Sequence, residues 1–243
     1  MDYTFLFYIL LFIVAFLYSS VGHGGASGYL ALMALFSFAP DVMKPTALLL
    51  NIFVSAISFY QFYRGKHFNW KIFVPLAVLS IPLAYLGGSI HVDIRIYKKL
   101  LALILLIPIL RFWFFPDIPV EKLKPSNPYG SLVIGGAIGF LSGLIGIGGG
   151  IILSPILLLL KWTDQKQTAA ISALFIFVNS LAGLAGQFSK GIHFTTGMYF
   201  YVLIAVLAGS VGAYFGALRF KQHILKNILA AVLLLAAVKL FLT

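Results

Sequence analysis

Cysteine is absent from the 243-residue chain. Its absence excludes disulfides, thiolate metal sites, iron–sulfur clusters and any mechanism that carries a group on a cysteine sulfur. Acidic residues are almost as scarce, at six Asp and Glu in all. Asp2, Asp41, Asp93, Asp117, Glu121 and Asp164 stand at the ends of apolar runs or between them. No carboxylate sits in the middle of such a run, so the usual acidic proton relay or carboxylate cation cage is missing. A cationic substrate would find little to hold it. Charged residues of both signs make up 9% of the chain, against about 25% in soluble domains.

What fills the chain instead is hydrocarbon. Hydrophobic residues are 61% of the sequence, against roughly 45–50% in a soluble domain, and the mean hydropathy is +1.04. No globular core of this size hides that much apolar surface, so the lipid bilayer is the expected solvent. The formal net charge of +11 comes from 17 Lys and Arg in short loops between apolar runs. That distribution suits topology sorting and lipid headgroups, and nucleic acid is not an expected partner. Nothing specifies an oligomeric state. The first apolar run, 3–21, is longer than a signal-peptide core and lacks a small-residue cleavage site, so it reads as a membrane segment of the mature protein.

Apolar stretches fall near 3–21, 26–38, 45–63, 72–90, 97–115, 130–146, 149–160, 168–188, 197–217 and 224–242. Most have the ~20 residues that cross a ~30 Å hydrocarbon layer. Segments 26–38 and 149–160 reach only about 18–20 Å as helices. Each follows a glycine cluster, Gly22-His23-Gly24-Gly25 or Gly146-Ile147-Gly148-Gly149-Gly150. A proline-rich polar connector, 116–129, separates a first membrane repeat (1–115) from a second (130–243). The halves are duplicates. Gly22-x-Gly24-Gly25 matches Gly146-x-Gly148-Gly149, and Gln61-Phe62-x-Arg64-Gly65-x-His67-Phe68 matches Gln187-Phe188-x-Lys190-Gly191-x-His193-Phe194.

The expected fold is therefore an all-α polytopic membrane protein of two repeats. Each is a glycine-broken helical hairpin followed by three transmembrane helices. If each cluster turns a hairpin, the second copy is upside down. One face then collects Arg64, Lys66, Lys71, Arg111, Lys122, Lys124, Lys161, Lys166, Arg219, Lys221 and Lys226. The other collects Lys44, Arg95, Lys98, Lys99, Lys190 and Lys239. The positive-inside rule favours this inverted arrangement, with the connector in the cytoplasm.

Inverted repeats with interrupted helices are the architecture of secondary transporters, whose broken ends bare backbone groups at mid-membrane. At the start of each short helix, unpaired N–H groups and the positive end of the dipole face the break and can bind an anion. The expected substrate-binding set is Ser20, Gly22, His23, Gly24, Gly25, Ser27 and Asn51 from the first repeat, with Ser142, Gly146, Gly148, Gly149, Gly150 and Asn179 from the second. His23 stands where the second copy has Ile147. It can act as a neutral donor, as a proton carrier or as a structural residue. Asn51 and Asn179 are amides in mid-segment, where a polar group needs a partner. Arg64-Gly65 and Lys190-Gly191 read as helix ends with glycine caps, His67 and His193 as structural, and the many Phe and Tyr as mostly lipid-facing or interfacial.

Gly146-Ile147-Gly148-Gly149-Gly150-Ile151-Ile152-Leu153-Ser154-Pro155-Ile156-Leu157 resembles the Gly-x-Gly-Gly-Gly…Pro-x-Leu signature of the sulfite exporter TauE/SafE family, and the duplication extends the likeness over the whole chain. The first copy, Gly22-His23-Gly24-Gly25-Ala26-Ser27, lacks the third glycine and the proline. The resemblance implies proton-coupled transport of a small anion (sulfite, a sulfonate or a related organic acid) across the cytoplasmic membrane, with no cofactor. Two other classes stand beside it. In a non-transporting scaffold the glycines would only pack helices. An intramembrane enzyme would have Gly25-Ala26-Ser27-Gly28 as a protease-like pattern, with a histidine held against the serine. A small carboxylate remains an alternative cargo.

Overall fold

A computed structural model of the protein describes residues 3–20, 23–114, 123–189, 191–192 and 195–218, with Leu234 and Val238. Gly22, the connector up to residue 122, Lys190, His193, Phe194 and nearly all of the 224–242 stretch lie outside the described residues. Among those described the chain is all helix: α1 (Tyr3–Ser20), α2 (Ala26–Leu35), α3 (Pro40–Arg64), α4 (Trp70–Ser89), α5 (Ile94–Phe114), α6 (Pro128–Ile145), α7 (Gly150–Leu159), α8 (Gln165–Phe188) and α9 (Thr196–Leu218). Within α3, α4, α6, α8 and α9, segments are long and apolar enough to cross a membrane.

Local sequence explains most of the boundaries. α4, α6 and α8 begin at side-chain caps: Asn69 accepts from the Lys71 N–H, Asn127 from Tyr129 and Gly130, and Asp164 from Gln167. Each cap satisfies a backbone donor that has no intrahelical partner. α3 starts at Pro40, five residues before the apolar run that suggested it, because proline in a first turn lacks only an N–H that would be orphaned anyway. Gly65 is the C-cap of α3, after the basic Arg64, as expected, but it is not left-handed. Its φ is −71°, and the left-handed residue is Lys66, at φ 58°. In the second copy Gly191 does adopt positive φ, at 75°.

The helices pack through small residues, as they must where lipid is as apolar as leucine. Gly135, Gly139 and Gly143 form one stripe of α6, and a Cβ at each would overlap the Leu76, Ser80 and Ala84 carbonyl of α4 in turn. The three pairs advance together, so α4 and α6 run parallel with their backbones touching. α1 and α9 make the corresponding pair, with Tyr8 against Tyr201 and Phe16 against Gly212, and they are also parallel. α8 runs parallel to α4, since Ser80 meets Asn179 and Gly88 meets Gly183. It runs antiparallel to α3, since Leu48 meets Gly183 and Asn51 meets Ser180. In each half the first helix therefore packs on the fourth helix of the other half.

Surface and interior follow the membrane solvent. Val78, Val133, Leu203 and Leu207 are more than half exposed on the outside. Thr46, Asn51, Ser55, Ser80, Ser142 and Asn179 are wholly buried. We predict that Gly143→Ala destabilises the bundle by about 1–3 kcal/mol, because its methyl must displace backbone. Gly130→Ala, whose methyl would meet nothing closer than 3.6 Å, should leave stability nearly unchanged. Thermal unfolding of the purified protein in detergent checks both.

Candidate functional site

The two short helices begin unlike α3, α4, α6 and α8, whose N-caps are extended. The N-caps of α2 and α7 are Gly25 (φ 96°) and Gly149 (φ 80°), both left-handed, and neither offers a side chain to the first turn. A β-carbon is disfavoured at such φ, which accounts for glycine at both positions. The first-turn N–H groups of α2 and α7 thus start without the capping oxygen that α4, α6 and α8 receive. Each helix folds back along its predecessor: Gly28 of α2 lies on Val14 and Tyr18 of α1, while Phe36, just past α2, meets Phe7 near the start of α1.

The two breaks meet at one place. A Cβ on Gly24 would lie 2.8 Å from Asn51 Oδ1 and 2.9 Å from the Ile176 γ2-methyl. A Cβ on Gly148, the equivalent residue of the second repeat, would lie 2.5 Å from Asn51 Nδ2 and 2.9 Å from that same methyl. Asn51 is near the middle of α3 and Ile176 near the middle of α8, so the junction lies midway along both helices. The Asn51 amide is clasped between the glycines. Its Nδ2 donates to the Ile147 carbonyl and to Ser180 Oγ, each at 3.3 Å.

A second link crosses between the halves. His23 Nε2 is 3.1 Å from Ser154 Oγ on α7, and Ser154 is 2.8 Å from Ser172 Oγ on α8. Ser154 also hydrogen-bonds to the Gly150 carbonyl at 2.8 Å. Tyr97 on α5 donates to the Ile145 carbonyl at the end of α6, at 3.2 Å, and the Lys44 ammonium lies 4.3 Å from the centre of its ring. Lys44 backbone in turn packs against Gly146. A cation beside the C-terminal end of α6 complements that helix dipole.

Among the described residues, five buried polar side-chain atoms have no hydrogen-bond partner: Tyr29 Oη, Asn51 Oδ1, Ser55 Oγ, Ser142 Oγ and Gln187 Nε2. Three of these residues pack on the glycines of the breaks. A Cβ on Gly25 would lie 2.7 Å from Tyr29 Oη, one on Gly24 would meet Asn51 Oδ1, and one on Gly149 would lie 3.4 Å from the Ser142 β-carbon. An unpaired buried polar group costs about 1–3 kcal/mol, so three at one junction call for an account beyond stability. The arrangement combines N–H donors from two helix starts with the hydroxyls of Tyr29 and Ser142, a set suited to negative charge, while the free end of the Asn51 amide is an acceptor.

Of the residues singled out from sequence, His23, Gly24, Gly25, Asn51, Ser142, Gly146, Gly148, Gly149 and Gly150 are brought together at or beside the junction. Gly22 falls outside the described residues. Three others are engaged elsewhere. Ser20 Oγ donates to the Leu17 carbonyl of its own helix at 2.7 Å, and Ser27 Oγ is 2.9 Å from Tyr18 Oη. Asn179 is used at both ends, donating to the Phe175 carbonyl and accepting from Ser80 on α4. It is interhelical glue. The reading of tyrosines as lipid-facing is corrected for Tyr18, Tyr29 and Tyr97, which are at most 2% exposed. Tyr29, Tyr97, Lys44 and Ser180 were not singled out. Only the interruption of an apolar run by Tyr29, four residues beyond Gly25, could have pointed to one of them.

An apolar exterior, a hydroxyl-bearing interior and paired helix breaks that meet midway along α3 and α8 define a multi-pass membrane protein built around an internal polar junction. The sequence profile of the sulfite exporter TauE/SafE family matches residues 7–240. A probable membrane transporter protein of Sinorhizobium fredii is 36% identical over 236 residues, 96% of each chain. Another, of Methanocaldococcus jannaschii, is 32% identical over 188 residues, 71% of this chain and 68% of its own. No solved structure matches. The chain belongs to the sulfite exporter TauE/SafE family and is a membrane transporter of that type.

The link between the halves is measurable. We predict a coupling of about 0.5–1.5 kcal/mol between His23→Ala and Ser154→Ala in a double-mutant cycle, read from the unfolding of the two single variants and the double variant.

Proposed function

We propose that the protein is a secondary transporter carrying a small oxyanion, such as sulfite, a sulfonate or a related organosulfur anion, across the cytoplasmic membrane. The site in this reading is the junction of the two glycine breaks. The observation that carries it is the shared contact of Gly24 and Gly148 with Asn51, which brings two uncapped helix starts and three unpartnered polar groups to one point. A dipole end contributes about 0.3–1 kcal/mol toward an adjacent charge in exposed settings, rising to ~2 kcal/mol where it is partly buried. Two such ends together contribute up to ~4 kcal/mol toward an anion held between them.

In this reading the halves are inverted about an axis in the membrane plane. The antiparallel packing of α3 on α8, its counterpart in the repeat, supports the inversion. So does the exchange of partners, α1 with α9 and α6 with α4. Inverted halves allow the two hairpins to rock alternately around a fixed site. The chain His23–Ser154–Ser172 supports coupling to protons, because it runs from one repeat into the other through groups that can pass a proton. A small carboxylate fits the same donors. A scaffold role leaves the unpartnered polar atoms unexplained. The protease-like pattern gains nothing from Ser27, whose hydroxyl is taken by Tyr18 rather than by a histidine.

Purified protein in liposomes should accumulate a sulfur oxyanion, a sulfonate or a small carboxylate when a proton gradient is imposed. Absence of flux and of binding across that panel would overturn the assignment. His23→Gln should keep substrate exchange at equilibrium but lose accumulation driven by the gradient. Full gradient-driven uptake in that variant would remove His23 from the coupling.

A further inference from the structure

Asn51 carries a requirement that negative charge alone does not meet. Its side chain is fully buried at the junction. The amide orientation is fixed by chemistry, because the Ile147 carbonyl can only accept and so must face the NH₂ end. The opposite end, Oδ1, then faces Gly24, and no donor among the described residues reaches it. A pure acceptor therefore stands among the N–H donors of two helix starts. A bare oxyanion, which only accepts, satisfies those N–H groups and leaves Oδ1 unpaired against its own negative oxygens. A metal cation would suit Oδ1 but not the positive ends of α2 and α7.

The geometry points to a cargo that carries both characters: a small anion bearing one hydrogen-bond donor, such as a protonated oxyanion or a hydroxyl-bearing sulfonate or carboxylate. This rests on the anion site proposed above and narrows its substrate class. Asn51 acts here as a specificity-determining residue, with Nδ2 tied to the second repeat and Oδ1 reading the donor. The counterpart of Asn51 in the repeat is Phe175, so only one side of the junction can make this reading. A site built to bond a donor discriminates strongly against an isostere lacking it, because the acceptor is then buried unpaired.

The test uses isosteric pairs of equal charge on the full chain purified in detergent: 2-hydroxyethanesulfonate against propane-1-sulfonate, and glycolate against propionate. Titration calorimetry should give at least about tenfold tighter binding for the hydroxyl-bearing member of the better-bound pair. In Asn51→Leu, which keeps volume but removes the acceptor, the preference should vanish or reverse. A second variant, Asn51→Asp, adds like charge and should abolish binding of all four anions. Equal affinities within both pairs in the unmodified protein, as when water meets Oδ1, would overturn the donor requirement and leave the anion site standing. No binding of these anions, of sulfite or of bisulfite would instead overturn the anion site itself.

Discussion

The structure depends on one constraint: a helix broken inside hydrocarbon must find protein around its bared backbone groups, since no water is there to satisfy them. The chain meets that constraint by driving both breaks to the same depth and closing them on each other. Asn51 is the clasp. It can lie between Gly24 and Gly148 only because neither has a β-carbon; one there would come within 2.8 Å of Oδ1 or 2.5 Å of Nδ2. The repeat supplies the paired glycines, but the amide is supplied once, and the junction is asymmetric for that reason.

Around this junction the rest of the bundle serves as a frame. α4, α6 and α8 are parallel, capped by Asn69, Asn127 and Asp164, and pressed backbone to backbone through glycine. α2 and α7 are short and begin at left-handed glycines, and Tyr29, Asn51 and Ser142, each with a polar atom that lacks a partner, pack against those glycines. The closest backbone contacts lie in the frame, and three of the five unpartnered polar atoms among the described residues lie against the breaks. In the proposed reading that division suits a transporter, whose site exchanges partners with a cargo while the frame keeps its geometry.

Much of the architecture was legible in the chain. The helices follow the apolar runs closely, since in lipid a run of apolar residues has helix as its one open option. The short helices were foretold by the glycine clusters. Side-chain partners were not. Asn51 and Asn179 looked alike in sequence, as amides in mid-segment. Yet one is clasped between the breaks and the other is spent on Ser80 and its own helix. Tyr29 and Tyr97 look like any other aromatic of a membrane chain, and burial is decided by neighbours far along the sequence.

The sequence by itself determined the solvent, the helical class, the duplication and the positions along the chain at which the helices break, because each follows from local composition and spacing. Only the tertiary structure decided which polar groups meet. Gly24, Asn51, Gly148, Ile176 and Ser180 are separated by up to 156 positions along the chain, and no local pattern records their contact. Their meeting is set by how closely glycine lets one helix backbone approach another, and that distance exists only once the helices are packed.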